Sequence, residues 1–505
     1  MALKFLNALI NWFFNYSTIK KQRWLTWIFF GVLLLGGLFL WGIFLNWGNI
    51  SFNYPDWVNY VGPRLAFLRD AMTKLVLPLH ISDPATLETP TDRFFSVPNT
   101  FMGPTVILLY FLSIQKFIIA QTCLMFVAGF AGLLVLRRQL KLSPFAFTIL
   151  FFLFNFNGDI LAQYSVGHFE WNGYFLLAWF AALVIEMVQH TRVGWVWVTK
   201  ITLVMFLIFL QGEFHFFFYC LTFLLILGIF SPKYFLTIVK TIVASGLVSA
   251  IRIAPALLES GALNKEYLGG YPMVLSLWDA LVTPTFPGTY TTLNSFNFRL
   301  GNWEFTIYIG LLGALFLIFF GIYRTLRNVR STSTSQDVQT SPAAQGSPYL
   351  LLLLPCLVFT VFSLNAVFKE LRNLLNIPPL TGERVASRLF IFAVLFILVL
   401  AVYELQKWLD SIRVTSLIAL GSLLLLGIEL NDLWQNFQFW MVSYAATTFK
   451  NLSTFDQSRW YVANHPDLRY IRTLEEGLAV TCLSLVILAI LVWHDKRKHR
   501  APAQS

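Results

Sequence analysis

The sequence predicts an all-α integral membrane protein of about twelve transmembrane helices, on three observations. Of its 505 residues, 57% are hydrophobic and only 12% charged, about half the charged share of a soluble domain. The apolar residues gather in runs long enough to cross a hydrocarbon core of about 30 Å. The segments between the runs alternate in charge, basic on one side and mildly acidic on the other, as the positive-inside rule requires. The net charge of +11 therefore belongs to topology, and no nucleic-acid partner is expected.

The elements follow in order. Residues 1–23 form a cytoplasmic N-terminus. Lys4, Asn7, Asn11 and Asn15 share one helical face and Phe5, Leu6, Leu9, Ile10 and Phe13 the other, so this helix is expected to lie in the membrane interface. Lys20, Lys21 and Arg23 then hold the chain on the cytoplasmic side. The run from Trp24 to Trp47 reads as an uncleaved first span, since it lacks a small-residue cleavage site. Further spans fall near 115–136, 144–157, 172–189, 194–211, 214–230, 234–252, 305–323, 348–366, 388–405, 414–431 and 477–494. Those at 144–157 and 214–230 are short for a bilayer core. Cys123, Cys220, Cys356 and Cys482 sit in apolar runs and read as buried thiols rather than a disulfide or metal set.

The topology places both termini in the cytoplasm and four long segments outside, at 48–114, 253–304, 367–387 and 432–476. A Ser- and Thr-rich stretch, 324–347, reads as a flexible cytoplasmic linker between a module at 24–323, with outer loops 48–114 and 253–304, and a second module at 348–494. A basic tail, 495–505, closes the chain. In the first outer loop Leu65, Leu68, Met72 and Leu75 recur at helical spacing, which predicts a helix along the membrane surface.

The residues able to carry chemistry fall on the outer side. Asp56 follows the first span, where a carboxylate near lipid headgroups suits a general base; equally it reads as a solvated loop acid. Asp70 is a second acid, or a partner of Arg69 or Lys74. His168 stands beside Glu170 and Trp171 at the lip of the fourth span. Glu213 and His215 occupy a short turn between two apolar runs, where ionisable groups are costly and usually functional. Glu304 precedes the eighth span. Arg384 and Arg388, four apart, are expected on one helical face, where guanidinium groups suit a phosphate; headgroup binding or pairing with Glu383 is the structural alternative. The sequence holds no phosphate-binding glycine loop, dinucleotide fingerprint, zinc-protease motif or nucleophile elbow, so an outward-facing transferase would draw on a lipid-carried donor.

This pattern resembles the GT-C superfamily of multispanning glycosyltransferases, above all its bacterial branch implicated in lipoteichoic-acid and other envelope glycosylation. The resemblance rests on Asp56, on Phe67 to Met72 with Leu77-Pro78-Leu79, on Gly167-His168 with Trp171, and on Gly212 to His215. It extends to Glu304 with Tyr308-Ile309-Gly310 and to Glu383 to Arg388, and it covers residues 24–405. It implies a GT-C-like fold in a bacterial plasma (inner) membrane and a polyprenyl-phosphate-sugar donor. It also implies membrane lipid as a partner and an envelope glycan or lipid as acceptor. Asp56, with Asp70, would be catalytic; His168, Glu213, His215, Glu304, Arg384 and Arg388 would bind substrate. A divalent cation (Mg or Mn) is the cofactor the resemblance brings in, without an assigned ligand set. Many relatives carry Asp-Glu or spaced acids where Trp57 follows Asp56 here. The rival readings are a lipid or oligosaccharide transporter or flippase, for which Lys116, Lys200 and Lys240 are the candidate charges; a non-catalytic assembly subunit; and an outward-facing acyltransferase using His168 or His215.

Overall fold

The structure, a computed structural model, describes residues 2–16, 22–50, 56–84, 91–190, 193–259, 266–287, 290–292, 299–327, 348–376, 378–448 and 462–498. Among these residues eight helices are long and apolar enough to cross a membrane: Arg23–Phe44, Ile114–Leu140, Pro144–Val166, Phe169–Gln189, Gly310–Arg327, Ala386–Ser411, Ser416–Trp440 and Leu468–Arg497. A ninth candidate is the pair Pro232–Val248 and Ala250–Leu258, bent by 67°. Shorter apolar helices at Trp195–Leu210, Phe214–Phe230 and Tyr349–Phe362 fall on the remaining expected segments. The chain is thus an all-α, multi-pass membrane protein. Its strands, among the described residues, are one short hairpin in which Tyr290–Thr292 pairs with Arg299–Gly301.

Local sequence sets the helix ends. Ser113 and Ser143 accept hydrogen bonds from Lys116 N and Ala146 N at the starts of two spans, and Pro144 follows Ser143 at the first helical position, where its missing N–H costs nothing. The Ile114–Leu140 helix closes on Lys141 in the left-handed conformation, with Arg137 and Arg138 in its last turn, cations at the negative end of the helix dipole.

Three spans form the centre. Pro144–Val166, Phe169–Gln189 and Ala386–Ser411 are each 89% buried over their apolar windows, against 17% for Ser416–Trp440 and 22% for Leu468–Arg497. Rings interlock between them and their neighbours: Phe223 stacks on Phe396 with centroids 4.0 Å apart, and Phe359 on Phe392 at 5.3 Å. In lipid such packing, not water exclusion, holds helices together. The central helix Ala386–Ser411 belongs to the expected second module yet packs against Leu317–Arg324 and Pro144–Asn155 of the first, so the two halves interlock.

The structure amends several local expectations. The span at 144–157 is not short: it breaks after Asn155 and resumes as Gly158–Val166. Asn157, expected in an outer turn, caps the second piece by accepting from Ile160 N at 3.2 Å, and Asn155, Asn157 and Asp159 are buried. The first-loop helix is Gly62–Lys74 and ends at Leu75, whose φ of 55° stops it. Its first half, Gly62 to Leu68, is buried rather than laid on a surface, while Leu75 is 86% exposed. The N-terminal helix, Ala2–Phe14, does dock along one face: Trp12 and Phe14 are buried, and Trp12 Nε1 donates to Thr26 Oγ1 at 3.0 Å. Cys482 is exposed, unlike Cys220 and Cys356. Most of the linker at 324–347 lies outside the described residues.

Candidate functional site

One end of the bundle gathers most of the predicted site residues. Asp56 opens the turn into the first-loop helix, and the neighbouring Trp57, fully buried, donates from Nε1 to Ser165 O at 3.1 Å. Gly167 makes this approach available. Its φ of 106° suits only glycine, and a Cβ there would stand 2.6 Å from Trp57 N. The backbone of Asp56 therefore lies directly against the Gly167-His168 turn. Gly212, at φ 91°, does the same on the next turn, where a Cβ would meet Asn99 O at 2.8 Å.

The side chains then pair. Asp56 Oδ2 lies 2.6 Å from His168 Nε2. The other ring nitrogen, Nδ1, contacts Gln163 Oε1. The Gln163 amide is oriented by its own Nε2, which donates to Trp303 O at 2.9 Å, so its oxygen must face the histidine. Both ring nitrogens thus meet acceptors, an arrangement that favours the doubly protonated imidazole beside Asp56. Burial opposes that charge, but the hydrogen bond and charge of Asp56 outweigh it and raise the His168 pKa above its usual value. His168 has no lone pair left for substrate. Asp56, with a side chain 31% exposed, keeps its second oxygen.

A second pair stands next along the chain from Trp303. Arg388 donates to Glu304 twice, Nε to Oε2 at 2.7 Å and an Nη to Oε1 at 2.6 Å. Burial acts against the Glu304 charge, yet Arg388 holds the carboxyl down to about 2. Two-point pairing occupies the guanidinium edge a phosphate would use. A third group joins at Glu383, which accepts from Tyr219 Oη at 2.5 Å and lies 2.8 Å from His215 Nδ1. Glu213 caps the Phe214–Phe230 helix through Phe216 N at 3.4 Å. It is fully buried, and its Oε2 has no hydrogen-bond partner. Burial pushes its carboxyl well above the usual range, and Glu170 adds to the shift. Glu213 lies within electrostatic reach of Glu170, Arg388 and Glu383, and His168 of Asp56, Glu170 and Arg388. Asp56, His168, Glu213, His215, Glu304 and Arg388 therefore form one cluster.

Two predicted residues stand outside it. Asp70 pairs with Lys74 at 2.8 Å, the structural alternative. Arg384 does not share a helical face with Arg388. Residues 383–385 are extended, with Val385 bridged to Gly269, and the helix proper begins only at Leu389, after a 3-10 turn. Arg384 Nε donates to Glu266 O at 3.3 Å. Nor does Arg388 take Glu383 as its hydrogen-bond partner; Glu304 fills that place.

Beside the cluster lies a narrow recess of about 20 Å³, whose polar lining is Tyr60, Arg64, Asn99, Glu170 and Gln211. Arg64 donates to Asn99 Oδ1 at 2.9 Å and covers the Tyr60 ring at 3.6 Å. The recess shares Leu68 and Phe101 with a second, apolar one lined by Met72, Pro78, Phe95 and Val106. The nearby surface is strongly apolar, with Leu77 70% and Phe111 74% exposed.

Sequence reasoning missed Gln163, Tyr219, Asn99 and Arg252. Their signal is a polar residue inside an apolar run, or at its end. Arg252 is fully buried where the bent pair turns, and donates to the carbonyls of Pro98 at 2.6 Å and Thr100 at 3.0 Å, so it fixes the strand of loop that carries Asn99. The candidate transporter charges have local roles or exposure: Lys200 pairs with Glu186 at 3.6 Å, Lys240 lies over the Trp195 ring, and Lys116 is exposed. Glu429, inside a span, accepts from Gly313 N at 3.0 Å, which satisfies a free donor at a helix start. No family model, curated protein or solved structure matches the chain.

Proposed function

We propose that this protein is a GT-C-like glycosyltransferase of a bacterial inner membrane. In this reading all twelve apolar segments cross, both termini are cytoplasmic, and the cluster opens on the non-cytoplasmic face. The carrying observation is the Asp56–His168 pair beside a polar recess that continues into an apolar one. The polar lining followed by an apolar one matches in chemistry a ligand with a sugar-phosphate head and a long hydrocarbon tail, a polyprenyl-phosphate sugar, for which the narrow polar recess would have to open.

Asp56 is the base. His168, 2.6 Å away through Nε2, keeps it aimed. The second Asp56 oxygen takes the proton of an acceptor hydroxyl on an envelope glycan or lipid. The hydroxyl oxygen bonds to the anomeric carbon, and the carbon–oxygen bond to phosphate breaks, its electron pair leaving with the polyprenyl phosphate. Base catalysis of this kind contributes about 10²–10⁴-fold. Glu213 and His215 position sugar hydroxyls. Arg388 is engaged by Glu304, so the phosphate falls to Arg64, which lines the recess, or Arg384. The residues around Asp56 do not fit a magnesium or manganese ion. That carboxylate already meets a cation, and such ions demand several oxygen ligands, so no step runs through a metal.

The test is consumption of purified polyprenyl-phosphate hexoses by the full chain in lipid vesicles. Asp56→Asn is expected to lose at least 10²-fold in rate, with helix content unchanged. Wild-type turnover in that variant, or no consumption of any donor by the native chain, overturns the reading.

A further inference from the structure

A second cluster lies away from the Asp56 site, where the first outer segment meets the segment leading into the last span. Three extended stretches come together there. His80 bridges to Arg93 and Ile81 to Val462, both antiparallel. Ile81 N donates to Asp92 O at 2.8 Å, and Ala463 N to His80 O at 3.0 Å. The Asn464 side chain locks the join: its Oδ1 accepts from Leu79 N at 3.2 Å and His80 N at 3.0 Å, and its Nδ2 donates to Leu77 O at 2.8 Å. The backbone positions of His80, Asp92 and His465 are thus fixed by residues nearly four hundred apart in sequence.

Their side chains converge. His465 Nε2 lies 2.6 Å from Asp92 Oδ2, and the His465 and His80 rings lie with centroids 3.9 Å apart. One ligand atom from each of His80, Asp92 and His465 lies within 4.8 Å of the other two, the one such group of three among the described residues. His80 supplies the independent observation. It is fully buried, and among the described residues neither of its ring nitrogens has a hydrogen-bond partner. A buried imidazole left so is costly, and proteins seldom retain one without a use. Its Nε2 stands 3.9 Å from Asp467 Oδ2, a carboxylate itself held by Arg93 Nε at 2.7 Å and Tyr470 N at 3.1 Å.

We propose that His80, Asp92 and His465 bind a divalent transition metal of the zinc class, with Asp467 as the fourth ligand. Two imidazoles and carboxylates favour zinc over calcium or magnesium, which take oxygen ligands. Ligand atoms around tetrahedral zinc lie roughly 3.4 Å apart, given bonds of about 2.0–2.1 Å, so small side-chain rotations close the site. The metal satisfies a His80 nitrogen and replaces the Asp92–His465 contact. Four protein ligands make a closed, structural site. It clasps the segment entering the last span to the stretch that runs from Asp92 to Asn99, a wall of the recess. The proposal does not depend on the transferase reading.

The experiment uses the full chain in detergent with any affinity tag removed. After chelation, the protein is titrated with zinc chloride against a competing chelator, and bound metal is measured by elemental analysis and X-ray absorption. The native chain is expected to bind one zinc with a nitrogen and oxygen shell and to unfold at a higher temperature when loaded. His465→Ala, at a half-exposed position, and Asp92→Asn should each weaken zinc at least tenfold and abolish the thermal gain. His190→Ala, an exposed histidine elsewhere, should change neither. A native chain that retains no zinc, a sulfur-containing shell, or equal affinity in His465→Ala overturns the proposal.

Discussion

The Glu304–Arg388 pair allows its structural weight to be separated from any part in catalysis. The two side chains are 7% and 14% exposed and joined by two charge-assisted hydrogen bonds. Two routes give its magnitude. Breaking a buried pair from one side costs about 3–5 kcal/mol, because the remaining charge is stranded. Separately, a fall in the Glu304 pKa from 4.5 to about 2 amounts to about 3 kcal/mol. The routes agree, so Glu304→Gln and Arg388→Met should each destabilise by about 3 kcal/mol. The double variant should cost much less than their sum, since no lone charge remains.

Thermal and denaturant unfolding in one detergent, followed by tryptophan fluorescence, would give the cycle. Acid supplies a second check. A carboxyl with a depressed folded pKa contributes stability that is complete above its unfolded pKa, near 4.5, and is lost as pH falls toward about 2. The acid limb of the native chain should therefore be steeper than that of Glu304→Gln. If the singles and the double add within about 0.5 kcal/mol, the pair is not coupled. Arg388 would then be free to serve a ligand, and the reasoning fails.

Three further outcomes are expected. Gly167→Ala forces a left-handed φ on alanine and drives its Cβ against Trp57 N; it should cost at least about 1 kcal/mol and lower donor turnover, whereas Gly382→Ala, with open space around it, should be silent in both assays. Asp70→Asn removes a partly exposed ion pair with Lys74, worth at most about 1 kcal/mol, and leaves an amide oxygen able to accept from Val462 N; a tenfold loss of turnover in it would restore Asp70 to the site. The raised pKa of His168, which faces Asp56, Glu170 and Arg388, contributes stability that is complete below its unfolded value, near 6.5, and lost as pH rises through the folded value. Unfolding temperatures should fall across that window in the native chain and stay flat in His168→Gln.

Eight of the expected spans are helices long and apolar enough to cross, and they were legible because lipid demands long apolar helices with satisfied backbones, which hydropathy marks. The gathering of Asp56, His168, Glu213, Glu304 and Arg388 was legible for a related reason: alternate turns of a helical bundle must share an end. Their partners were not. Arg384 and Arg388 look like one helical face until residues 383–385 turn out to be extended, held by Gly269, which no local pattern announces. The break at Asn155 was hidden because Asn157 supplies an internal cap, so polar residues that resemble a turn sit inside a span. His80 and His465 lie too far apart in sequence for either to suggest the other.

The pairings explain why this end of the bundle tolerates so many charges. Ionised groups taken from water need partners, and three acids have one distant in sequence: Asp56 has His168, Glu304 has Arg388, and Glu383 has Tyr219 and His215. Every pair joins elements that are distant in sequence and adjacent in the bundle. The site's backbone is fixed equally firmly, by Trp57 on Ser165 and by Arg252 on the carbonyls before and after Asn99. Glu213 and Asp159 are exceptions: both are buried, and among the described residues one oxygen of each has no hydrogen-bond partner, the other Glu213 oxygen capping a helix. A carboxyl pushed upward by burial can hold a proton and donate it. Each of these two acids has an oxygen facing no donor among the described residues, and so a hydrogen bond still to make.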